Sequence, residues 1–98
     1  MIYHVTTPDA WRNAIEEGAY SAPSLKDEGF IHCSRREQIA GVLERYYSGK
    51  SGLILLHIRE EMLGDKLKFE YADSVAEEFP HVYGPIPVGA VTGTEQLN

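Results

Sequence analysis

Leu53-Ile54-Leu55-Leu56-His57-Ile58 is the stretch around which the rest of the chain arranges itself. It is apolar at nearly every position, too short for a helix and preceded by Ser51-Gly52, so it reads as a central strand covered on both faces. Immediately upstream, Ser48-Gly49-Lys50-Ser51-Gly52 reads as a turn; its partial likeness to a phosphate loop fails because it ends a helix instead of opening one. That helix shows Ile39, Val42, Leu43 and Tyr46 at three- and four-residue spacing, and Ser34-Arg35-Arg36-Glu37 has the form of a capping box at its start. Phe30-Ile31-His32-Cys33 before it reads as a short strand, and residues 19–28, with Pro23 and two serines, as a loop.

At the N-terminal end Ile2-Tyr3-His4-Val5-Thr6 is a strand by composition. Thr7 is the N-cap and Pro8 the first residue of a helix over residues 8–17, closed by Gly18 and facing the core through Trp11, Ala14 and Ile15. Downstream of the central run, residues 60–64 make one helical turn. Lys66-Leu67-Lys68-Phe69-Glu70-Tyr71 then alternates polar and apolar residues, which predicts a strand with one wet face. The segment Phe79-Pro80-His81-Val82-Tyr83-Gly84-Pro85-Ile86-Pro87 holds three prolines, which permits an edge strand or an ordered loop and argues against a central strand. Residues 88–97 supply a last strand. The layout is α+β in one domain, residues 1–98.

Composition narrows the function classes. Fifteen acidic residues against nine Lys and Arg give a net charge of −6, the wrong sign for gripping nucleic acid or an anionic membrane without a local basic patch. One cysteine allows no internal disulfide and no Cys-based zinc site, and no apolar segment approaches membrane-spanning length. A cytoplasmic, monomeric protein is the expectation.

Four histidines in so small a chain are the main chemical signal. His4, His32 and His81 each stand in a strand-like segment beside a turn or helix start. Alternation places His4 with Thr6, His32 with Phe30 and Ser34, and His81 with Tyr83. Strand ends meeting two helix starts would make a cleft suited to a nucleotide. The structural alternative for each is an imidazole satisfied by a neighbouring hydroxyl. His57 reads as a strand-end position, Cys33 as a core-facing hydrophobe, Ser34 as a cap, and Tyr46-Tyr47 as helix packing. Tyr83, framed by His81 and Gly84-Pro85, suits the wall of a ring-binding pocket. Without an H-x-H or H-x-x-x-H spacing, no metal is expected.

Taken together, Ile2-Tyr3-His4-Val5-Thr6-Thr7, Pro23-Ser24-Leu25, Glu28-Gly29-Phe30-Ile31-His32-Cys33-Ser34 and the segment from Phe79 to Pro87 resemble a family of small bacterial proteins, domain of unknown function 952. The resemblance implies an ADP-ribosyltransferase-like fold, a mixed split sheet with two main helices around a cleft for NAD or another ADP-ribose-containing nucleotide. It implies catalytic roles for His4, which would orient the ribose, for His32 and for His81. Thr6, Ser34 and Tyr83 would bind the ligand, and Arg35 and Arg36 stand where phosphate would be held. Transfer of ADP-ribose or an RNA 2′-phosphotransferase-like reaction is the chemistry implied. A non-catalytic nucleotide-sensing or protein-interaction module on the same fold is the alternative. Transferring enzymes carry a Glu at the third position of the pocket; the 79–87 segment has none, and Glu70, Glu77 and Glu78 lie in no matching motif. A carboxylate there would stabilise an oxocarbenium-like transition state.

Overall fold

The computed structural model describes residues 1–98. In chain order the elements are β1 (Ile2–Thr6), α1 (Pro8–Glu17), β2 (Ala19–Tyr20), α2 (Pro23–Asp27), β3 (Ile31–His32), α3 (Ile39–Tyr46), β4 (Ile54–Ile58), β5 (Leu67–Ala72), β6 (Glu77–Val82), β7 (Ile86–Pro87) and β8 (Val91–Gln96). Short 3₁₀ turns precede α3, β5 and β8. The strands form three antiparallel sheets, β1-β4-β8, β2-β7 and β3-β6-β5; a single bridge between Tyr3 and Ser34 ties the first to the third. The class is α+β. The expected mixed sheet with two main helices is corrected to antiparallel pairing throughout and three helices.

β4 is central, as its apolar run requires, because it buries side chains on both faces. Leu56 and Ile58 join Ile2, Ile31, Cys33, Val82 and Ile86 in the larger core, while Leu55 points the other way into a smaller one with Val5, Ile39 and Leu53. Burying each of these Leu and Ile side chains contributes about 1.5–3 kcal/mol.

Local chemistry at α1 is as expected. Thr7 Oγ1 accepts from the Ala10 N–H at 3.2 Å, Pro8 opens the helix, and Gly18 closes it at φ 86°, donating to the Ala14 carbonyl. Its buried face is Ala10, Trp11 and Ala14, and Ile15 points to solvent. The expected loop over residues 19–28 is instead β2, paired with β7, followed by α2. Pro23 was a helix-start signal, since proline's fixed φ and missing donor suit the first helical position.

The capping box expected at Ser34 and Glu37 does not form. Ser34 exchanges both backbone hydrogen bonds with Tyr3 at 2.8 Å and so stays extended. The cap moves one residue along, with the Arg35 N–H donating to Gln38 Oε1 at 2.9 Å. At its other end α3 exposes Tyr46 and packs Tyr47 in its place.

The largest departure is at Pro80, which lies in β6, the central strand of its sheet. The Pro80 carbonyl accepts from the Cys33 N–H, so its absent donor also faces the β3 side, where that two-residue strand has already ended. The ladder to β5 loses nothing. Edge position has a second consequence: Phe69 and Tyr71, the dry face predicted for β5, are exposed.

Candidate functional site

His4 is in the interior, 8% exposed, and both its ring nitrogens are occupied. Nδ1 lies 2.6 Å from the His32 carbonyl oxygen, which can only accept, so Nδ1 carries the proton and Nε2 is the acceptor. The Tyr20 hydroxyl then donates to Nε2 at 2.8 Å and itself accepts from Thr6 Oγ1 at 2.8 Å. The result is a one-way buried chain from Thr6 through Tyr20 and His4 to the backbone of β3. Burial disfavours the imidazolium and lowers the His4 pKa to about 4, which keeps the ring neutral. Burial likewise pushes the Tyr20 hydroxyl up. His4 and Thr6 therefore brace β3 from beneath, and neither presents a free polar atom to a ligand. Ser34 is also buried and is committed through its backbone to Tyr3. The polar side-chain atoms of His4 and Thr6, for which the resemblance implies ligand-facing roles, are thus bonded within the protein.

The other two histidines meet on the outer face of the β3-β6-β5 sheet. Cross-strand pairing sets His32 opposite His81, with ring centroids 5.5 Å apart and edge to face. Phe30 stacks on His81 at 4.1 Å and stands 5.3 Å from the Tyr83 ring. Glu70, on the neighbouring strand, completes the group: its Oε1 accepts from the Tyr83 hydroxyl at 2.6 Å and from His81 Nδ1 at 2.8 Å. These two donors hold the Glu70 carboxyl below its usual range, Tyr83 first and His81 second, and the carboxylate raises the Tyr83 hydroxyl above its own. His81 Nε2 has no partner within the protein and is not shut off from solvent. A carboxylate thus orients an imidazole by one nitrogen and leaves the other for proton transfer. Glu28 Oε2 stands 3.1 Å from His32 Nε2, on the exposed side of the same group.

The face therefore contains His32, His81 and Tyr83 from the expected set, and adds Phe30, Glu28 and Glu70. Glu70 supplies a carboxylate beside His81 that no motif in the 79–87 segment announces. It arrives from β5 because the β5-β6 register places Lys68 opposite His81 and Glu70 opposite Phe79, within diagonal reach. The sequence signal for it was the alternation in residues 66–71, which put Glu70 on the wet face without naming its neighbour.

Arg35 and Arg36 serve elsewhere. Their guanidinium groups lie over the rings of Phe69 and Tyr3, at 4.6 and 5.0 Å, and pair with Glu78 and Glu95. They line a cleft of about 410 Å³ with Tyr3 and Phe69, on the opposite side of β5 from Glu70. His57 bonds Glu95 at 3.0 Å beside this cleft, and with Arg36 it lowers the Glu95 pKa. Cys33 is buried and its thiol is pushed up by burial, as for a core hydrophobe. No group of three or more His, Cys, Asp and Glu side chains is arranged to hold a metal ion, and no helix is long and apolar enough to cross a membrane.

Comparison with known proteins gives a consistent assignment. The model of the family described as "Protein of unknown function (DUF952)" matches residues 5–94. Among solved structures, the crystal structure of protein CC0527 from Caulobacter crescentus is 35% identical, with a TM-score of 0.87 over 99% of this chain and 85% of that one. The solution NMR structure of the same protein is 32% identical, with a TM-score of 0.84 over 99% and 84%. No curated protein matches the sequence.

Proposed function

The chain belongs to the DUF952 family, and from that premise we propose that the face carrying Phe30, His32, Glu70, His81 and Tyr83 binds NAD or another ADP-ribose-containing nucleotide. In this reading the domain is cytoplasmic and its fold is similar to that of the ADP-ribosyltransferases. The observation that carries the reading is the bond from His81 Nδ1 to Glu70, with His81 Nε2 left open. Two exposed or half-buried aromatic rings, Phe30 and Tyr83, fit the stacking surface that a planar base needs.

The chemistry proposed is transfer at the ribose carbon. The glycosidic bond to nicotinamide breaks with its electron pair leaving on the ring nitrogen, and an acceptor hydroxyl attacks the same carbon while giving its proton to His81 Nε2. Glu70 keeps the imidazole aligned and offers negative charge to the developing oxocarbenium ion. General-base help of this kind supplies on the order of 10²–10⁴-fold.

The test is an amide-resolved NMR titration with NAD, ADP-ribose and an inorganic phosphate control. Shifts gathered on Phe30, His32, Glu70, His81 and Tyr83 with the two nucleotides, and absent with phosphate, are the expected result. An unperturbed spectrum at about 1 mM nucleotide, where weak millimolar binding already shows, overturns the reading.

A further inference from the structure

We infer that the outer edge of β5 pairs antiparallel with the same edge of a second copy of this chain, about a two-fold axis at Phe69. β5 bonds only to β6, and apart from the Leu67 N–H, which donates to the Gly64 carbonyl, no backbone or side-chain hydrogen bond within the chain reaches the outer edge of residues 67–71. The orientation of that edge follows from Pro80. Its carbonyl points to Cys33, so the opposed Phe69 directs its N–H and C=O away from β6, and Leu67 and Tyr71 do the same by alternation. A six-residue edge with open backbone groups and exposed aromatic side chains is a pairing template that natural sheets usually cover or charge. On its apolar side Arg35 lies over one face of the Phe69 ring, yet Phe69 is still 37% and Tyr71 63% exposed. The other six-residue edge, β8, carries Thr92, Gly93 and Thr94 instead.

A second copy is the occupant because the strand is complementary to itself. With Phe69 opposite the partner's Phe69, the outward N–H and C=O of Phe69 exchange hydrogen bonds with those of the partner's Phe69, and the Tyr71 N–H donates to the carbonyl of the partner's Leu67, while the Leu67 N–H stays with Gly64. On the apolar side, ring meets ring and Leu67 meets the partner's Tyr71. On the other side Lys68 meets the partner's Glu70 in a non-hydrogen-bonded position, where cross-strand side chains are closest. A two-fold axis at Lys68 or at Glu70 would instead set like charges directly opposite one another. The pairing also joins the two histidine faces on one continuous sheet and sets the partner's Lys68 beside Glu70, so each face gains a cation from the other copy. This assembly stands on β5 alone and does not depend on any nucleotide.

Sedimentation from about 10 μM to 1 mM, a range that brackets weak self-association, should take the wild-type chain from the monomer mass toward twice that mass. Lys68→Glu sets like charges opposite one another and should weaken association about tenfold or more, and the exchange Lys68→Glu with Glu70→Lys should restore it. Because Glu70 also holds His81, a measurement without substitution accompanies these. In a mixture of isotope-labelled and unlabelled chains, a Lys68 Hα to partner's Glu70 Hα cross-peak is expected. A chain that stays monomeric at 1 mM, a dimer indifferent to Lys68→Glu, or a dimer without that cross-peak overturns the proposal.

Discussion

Oε1 of Glu70 stands 2.8 Å from Nδ1 of His81, two side chains on adjacent strands of one hairpin. The same oxygen accepts the Tyr83 hydroxyl, so a single carboxylate sets the geometry of the exposed histidine face.

Glu70→Gln removes the carboxylate whose hydrogen bond first, and whose charge after it, raises the Tyr83 hydroxyl. A phenolate beside a carboxylate is disfavoured, so the raised Tyr83 pKa should fall back toward the ordinary value of about 10 in the variant. Ultraviolet titration of tyrosinate, or NMR of the ring carbons, reads this directly. An unchanged Tyr83 titration means that the hydroxyl does not bond Glu70 in solution.

His4 makes stability depend on pH in a defined window. Its pKa is about 4 folded and 6.5 unfolded, so the unfolded chain binds the extra proton first. The contribution is complete above pH 6.5, declines as pH falls, and is gone near pH 4, amounting to about 3 kcal/mol at most. Urea unfolding between pH 4 and 7 should show this slope in the wild type and a flattened one in His4→Asn, which keeps a donor for the His32 carbonyl but has no titratable ring. Equal slopes in the two proteins would show that His4 is not the group responsible.

Tyr20→Phe leaves His4 Nε2 and Thr6 Oγ1 without their buried partner. The cost should be about 1–3 kcal/mol by chemical denaturation, and adding Thr6→Val should recover part of it by removing one of the two orphaned groups. Strict additivity of the two substitutions would break the relay as described.

Cys33 should resist thiol reagents in the native state, because it is buried and its thiol is pushed up in pKa. Reaction with a disulfide reagent should follow the unfolding rate as denaturant is raised. Immediate labelling of the native protein would place the thiol at the surface.

What the chain alone determined is what neighbouring residues determine by themselves. Thr7-Pro8 and Gly18 bound α1 because capping and left-handed closure are local chemistry, and Leu53 to Ile58 had to be central because both of its faces are apolar. The four motif stretches also sufficed for the family. Tertiary structure decided the rest wherever a residue's role depended on its partner strand. Ser34 lost its cap to the pairing with Tyr3, and Pro80 became tolerable in a central strand because β3 stops where its donor would have been needed. His4 looked equivalent to His32 and His81, yet strand packing put it beneath β3 and the other two above. Glu70 joined them only through hairpin register, since which residues face one another across two strands depends on the turn and ladder between them and is not contained in either strand's own period.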